Sequence, residues 1–166
     1  MCRHIISIMT AFLLILVTAI TAFAQISPDG IWSKISVQAL RDYQTAKGEE
    51  TPWIQPDKFQ LFTLNEQNLE DVLIQAPIER LDLPEARRPL AARIHLPTPE
   101  GYYATFEFVE APVMAPELAA RYPEIKTYLG KQVGNPTIWA RFDWTPAGFH
   151  AQILAPGNTW YVDPYY

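Results

Sequence analysis

Residues 102–110 alternate strictly in side-chain character. Tyr102, Ala104, Phe106 and Phe108 fall on one side of an extended chain, and Tyr103, Thr105, Glu107 and Val109 on the other. A period of two belongs to a strand and places successive side chains on opposite faces. Residues 90–96 form another apolar run, and TPEG at 98–101 supplies Pro99 and Gly101 for a turn between the two. The spacing predicts a β-hairpin. The same period returns over 137–144, where Ile138, Ala140, Phe142 and Trp144 oppose Thr137, Trp139, Arg141 and Asp143. Turn residues at Gly134-Asn135-Pro136, 146–148 and Pro156-Gly157-Asn158 separate this run from strands expected over 125–129, 149–154 and 159–163. Such a succession is a β-meander.

Upstream, 58–64 reads as a strand that is largely apolar on both faces, with Phe59, Leu61 and Thr63 opposing Gln60, Phe62 and Leu64. Asn65 is placed to cap a helix over 66–75, in which Leu69, Val72, Leu73 and Ala76 recur at helical spacing. Glu66, Glu70 and Asp71 lie in its early turns, which the helix dipole favours, and Pro77 ends it. Residues 31–40 read as a short strand or irregular apolar segment, 47–50 as a loop, and Trp53 between Pro52 and Pro56 as an extended or turn segment. The charged, Pro-rich stretch 81–89 is a loop. A connector at 110–128 breaks at Pro112, offers one helical turn after Pro116 and breaks again at Pro123. The expected fold is α+β and mostly antiparallel β, a single sheet-rich domain with one or two short helices.

The N-terminus has a different character. Arg3 and His4 precede an uncharged apolar run over 5–20, and Ala22-Phe23-Ala24 then offers small residues at cleavage spacing. This is the pattern of a cleaved secretory signal peptide over 1–24, with a domain at 25–166. The run falls short of the about 20 residues that a membrane span needs, so no stable anchor is expected after cleavage. Export to a secreted or periplasmic location follows. The sole cysteine, Cys2, leaves with the signal peptide, and the domain must rely on its core alone. A net charge of −5 argues against nucleic acid as a partner.

No catalytic constellation stands out. His95 and His150 lack the spacing of a zinc-binding H-E-x-x-H helix. Ser27, Ser33 and Ser36 lie in no nucleophile elbow. The acid pairs Glu49-Glu50 and Glu70-Asp71 read as solvated faces, and no glycine-rich phosphate loop occurs. Aromatic residues crowd the last third of the chain. They suit cross-strand packing, or a sugar or peptide platform built on Trp139, Trp144 or Trp160.

Three segments carry a resemblance: FEFVEAPVMAPELAARYPEIKTYLG, RFDWTPAGFHAQIL and WYVDPYY. Together they resemble the pro-region of bacterial reprolysin-like (adamalysin-type) zinc metallopeptidases. The matching positions are 110–112, 116–125, 141–151 and 161–165, and the helix around 66–75 matches more weakly; from that helix onward the resemblance extends over about two-thirds of the expected mature chain. The resemblance implies a region that assists folding and latency of a metalloprotease catalytic domain, acting in cis or in trans. It implies a framework or contact role for Glu110, Pro116, Glu117, Tyr122, Pro123, Arg141, Phe149, His150 and Asp163. Family members continue into a catalytic domain with the zinc helix, and none occurs up to Tyr166. No catalytic residue, metal ligand or cofactor is therefore expected in this chain, and zinc belongs to the catalytic domain. The other reading is a stand-alone exported β-rich module that binds glycan or peptide.

Overall fold

The structure, a computed structural model, describes residues 26–47 and 56–165. The expected signal peptide and the turn around Trp53 lie outside them.

Six strands form one antiparallel sheet: β3 (Ala92–Pro97), β4 (Tyr103–Glu110), β5 (Lys126–Gln132), β6 (Asn135–Thr145), β7 (Gly148–Ala155) and β8 (Asn158–Val162). Every strand pairs with its neighbours in sequence, so the sheet is a pure meander. The two earlier strands, β1 (Trp32–Ile35) and β2 (Leu61–Leu64), form a separate antiparallel ribbon in which Trp32 faces Leu64 and Ile35 faces Leu61. The helices are α1 (Val37–Lys47), α2 (Glu66–Leu73) and the single turn α3 (Pro116–Ala119), with a 3-10 turn at Glu85–Arg87. The fold is α+β, mostly antiparallel β, as the period-two runs require.

The alternation decides the inside. Ile94 and Leu96 of β3, Ala104, Phe106 and Phe108 of β4, Tyr128 of β5, Ala140 and Phe142 of β6, and Phe149, Ala151 and Ile153 of β7 are buried on one face. Leu69 and Leu73 of α2 and Ile31 and Trp32 at the start of the ribbon complete the same cluster. Aromatic rings carry much of the packing. Tyr128 stacks on Phe142 at 5.2 Å between centroids, Phe108 touches both, and Trp32 meets Phe149 edge-on at 5.4 Å. The aromatic-rich face is thus covered by this chain's own helix and ribbon.

The sheet curls until its two edges meet through a side chain: the Trp160 indole N–H of β8 donates to the Pro97 carbonyl of β3 at 3.1 Å. The lead-in to β1 is fastened to the β3 edge by Asp29. Its carboxylate accepts from the His95 backbone N–H at 2.8 Å and lies 3.0 Å from His95 Nδ1. The other carboxylate oxygen accepts from the Ser27 hydroxyl and the Ile31 N–H.

Several boundaries differ from the sequence reading. Residues 31–40 are not one strand: the chain turns at Ser36, whose hydroxyl accepts from the Ala39 N–H, and runs on as α1. The ordered strand in 58–64 begins only at Leu61, and Phe59 is exposed. Asn65 caps α2 as expected, its side chain accepting from the Asn68 N–H. The β5–β6 turn sits one residue earlier than expected, on Val133 and Gly134, and Asn135 and Pro136 already belong to β6. Gly134 takes φ +79°, which a side chain disfavours, so the glycine fixes where the chain reverses.

Candidate functional site

The face of the sheet turned away from the core carries the polar side chains. Strand register places Thr127, Asp143 and His150 in one row across β5, β6 and β7, and Asp163 just past β8 extends it. The next row holds Leu129, Arg141, Gln152 and Tyr161. A third holds Lys131, Trp139 and Leu154. Val113, from the connector, reaches the end of the first row. The first row, Val113, and Arg141, Gln152 and Tyr161 of the second row line an open groove of about 300 Å³.

Within it, His150 Nδ1 lies 3.1 Å from the Asp143 carboxylate, and both side chains are half-buried. Burial pushes the Asp163 carboxyl above the usual carboxylate range; His150 pulls it down and Asp143 adds a further push upward. The Gln152 amide donates to the Tyr161 hydroxyl at 3.2 Å. The Thr127 hydroxyl donates to the Ala111 carbonyl at 2.8 Å, while the Ala111 N–H donates to the Thr127 carbonyl at 2.9 Å. This exchange holds the connector against β5. The side chains of Arg141 and Asp163 have no hydrogen-bond or ion-pair partner among the described residues.

A smaller hollow of about 50 Å³ adjoins the groove and shares Val113 and Thr127 with it. Glu110 and Pro123 line it. The Lys126 ammonium donates to the Glu110 carboxylate at 2.8 Å. The Glu110 backbone is tied as well, its N–H donating to the Pro77 carbonyl and its own carbonyl accepting from the Glu79 N–H. A nearby phenol feels this charge. Burial, with a push from Glu110, raises Tyr128 to about 12.

Of the residues singled out in the sequence, Arg141, His150 and Asp163 line the groove and Glu110 and Pro123 the adjoining hollow. Phe149 faces the core and can act only as framework. Pro116 and Glu117 lie on the exposed turn of α3 and Tyr122 in the loop after it, and none of them lines either cavity. Asp143, Gln152 and Tyr161 join the site without having been singled out. Their signal was the alternation itself, which puts them on the same face as Arg141 and His150. Of the three tryptophans considered for a platform, Trp144 and Trp160 pack against the core. Trp139 alone is on the outer face, with the Lys131 ammonium 4.4 Å from the ring centroid.

Among the described residues no group of three His, Cys, Asp or Glu side chains is placed to hold a metal ion, and no helix is long and apolar enough to cross a membrane. Fold and groove together define an α+β domain with a curled six-stranded meander and a mixed-charge groove on its outer face. No protein-family model, curated protein or solved structure matches the chain.

Proposed function

We propose that this chain acts as the pro-region of an exported reprolysin-like zinc metalloprotease, assisting the folding and latency of a catalytic domain that lies outside it. One observation carries the reading. The motifs of the resemblance are far apart in sequence, at 110–112, 141–151 and 161–165, yet they converge on one groove and its adjoining hollow. A shared surface is what a docking role asks of dispersed motifs. The outer face combines exposed apolar side chains, Val113, Trp139, Leu154 and Tyr161, with unpaired charge at Arg141 and Asp163. Covering the apolar part removes it from water, and the charges set the register of the partner. In this reading the zinc and the catalytic groups reside in the partner, and the chain is not itself an enzyme.

The test is refolding of a bacterial reprolysin-like catalytic domain with and without this chain in trans. The proposal expects a higher yield of zinc-dependent peptidase and, at excess chain, a latent one-to-one complex on gel filtration. Unchanged yield together with no complex would remove it. The glycan-binding alternative rests on Trp139, whose ring face Lys131 already covers. It expects quenching of tryptophan fluorescence by at least one member of a glycan panel, lost in Trp139→Ala.

A further inference from the structure

We infer that the groove is a seat for an extended polypeptide segment of the partner carrying a basic residue and, two positions away, an acidic one. This rests on the reading of the outer face as a docking surface and names the chemistry that would fit it.

The argument begins with a count of what the groove leaves unused. Thr127 has given its hydroxyl proton to Ala111, so its oxygen can only accept. Gln152 has given an amide proton to Tyr161, and its carbonyl oxygen remains an acceptor. The His150 imidazole, donating from Nδ1 to Asp143, presents Nε2 as an acceptor. Asp143 keeps one carboxylate oxygen, and Asp163 keeps both. The row Thr127–Asp143–His150–Asp163 is therefore made of acceptors throughout. An ammonium or guanidinium group, which only donates, satisfies such a row. Val113 and Tyr161 at its margins can cover the aliphatic stem of a lysine or arginine.

The neighbouring row supplies the opposite polarity. Arg141 offers a guanidinium without a partner among the described residues, two positions along β6 from Asp143. Residues two apart in a strand point the same way and stand about 7 Å from one another. An extended segment laid along β6 has the same repeat. A basic side chain over the acceptor row then brings the side chain two residues on over Arg141, where a carboxylate completes the match. A basic and an acidic residue adjacent in sequence cannot do this, because their side chains point to opposite sides. The groove thus distinguishes a spacing as well as a charge.

The experiment uses protein made from the full-length sequence and two peptides of identical composition, acetyl-Thr-Lys-Thr-Glu-Thr-amide and acetyl-Thr-Lys-Glu-Thr-Thr-amide. Binding is read by NMR from the His150 ring and the Thr127 and Gln152 amides. The spaced peptide is expected to shift these signals and to bind more tightly than the adjacent one. Asp163→Asn and Arg141→Gln are each expected to weaken it by roughly two- to fivefold, in line with an exposed ion pair. Arg80→Gln, in the loop before β3, is expected to change nothing. Equal binding of the two peptides, shifts located elsewhere, or no shifts with either would overturn the inference. Arg141 is exposed, so its variant keeps the test alive should Asp163→Asn fold poorly. Peptide recognition without rescue of any catalytic domain would spare this inference and sink the pro-region reading. A latent complex indifferent to Asp163→Asn and Arg141→Gln would do the reverse.

Discussion

Replacing Asp29 by alanine should be among the most damaging single changes in this fold, although the residue lies in a turn outside every strand and helix. Its side chain is only 10% exposed. One oxygen receives the His95 backbone N–H at 2.8 Å and approaches the His95 ring nitrogen at 3.0 Å. The other receives the Ser27 hydroxyl at 2.5 Å and the Ile31 N–H at 3.2 Å. Alanine removes all four contacts and leaves the His95 N–H, on the edge of β3, without an acceptor. A hydrogen bond to a charged group contributes about 1.5–3 kcal/mol, and bonds sharing one carboxylate do not add in full, so a loss of about 3 kcal/mol is expected. For a domain of this size that lowers Tm by roughly 10 °C. Urea unfolding followed by tryptophan fluorescence measures the loss directly, since Trp32 lies in the core beside the fastened segment. Asp29→Asn keeps one acceptor oxygen but offers an amide N–H where His95 needs an acceptor, and should fall between alanine and the parent. An alanine variant within about 0.5 kcal/mol of the parent, the range of ordinary surface substitutions, would refute the reasoning.

Other outcomes follow from the same packing. Leu69→Ala empties a fully buried position under the sheet and should cost about 3 kcal/mol in the same unfolding assay, because the rigid sheet cannot close over the space. Gly130→Ala would set a methyl group 3.3 Å from both the Glu107 carbonyl oxygen and Phe108 Cβ; a loss of about 1–3 kcal/mol is expected. Tyr128 should appear as a phenol that ionises only near pH 12 in absorbance titration, and Tyr128→Phe should abolish that late step. Because its folded value is raised, the native state holds that proton after the unfolded chain has lost it, and stability falls as pH rises from 10 toward 12. Asp163 obeys the same sign at acid pH. Its raised carboxyl makes stability decline as pH climbs through the window just above 3.8, and Asp163→Asn should flatten that part of the stability curve.

The strands were legible because burial imposes a period of two, and β4 and β6 display it without interruption. Every core position from Ala104 to Phe108 and from Ala140 to Phe142 could be read from that pattern, and so could the outward direction of Arg141 and His150. Helix α1 was not legible. Among its described side chains only Leu40 is buried, so the segment carries no apolar stripe from which a helical period can be read. Local bonds brace it: the Ser36 cap, the Gln38–Asp42 side-chain bond and the Thr45 hydroxyl on the Arg41 carbonyl. The β5–β6 turn was misplaced by one residue because Asn135 and Pro136 look like turn residues while Gly134 alone has the required φ. The groove itself was hidden for another reason. Alternation assigns faces, but only the registers of β5 to β8 bring Thr127, Asp143, His150 and Asp163 into one line.

The indole of Trp160 on the Pro97 carbonyl has a bearing on how the chain reaches this state. Each strand pair of the meander joins neighbours in sequence, so hairpins can zip one after another with short loops to close, apart from the 111–125 connector between β4 and β5. The Trp160–Pro97 bond spans 63 residues, and it can form only when the whole sheet has curled. A latch of this kind is expected to set after the rate-limiting step. Trp160→Phe should therefore speed unfolding in stopped-flow while leaving the refolding rate nearly unchanged. A refolding rate that drops in proportion to the lost stability would mean instead that the edges meet early and the hairpins grow between them.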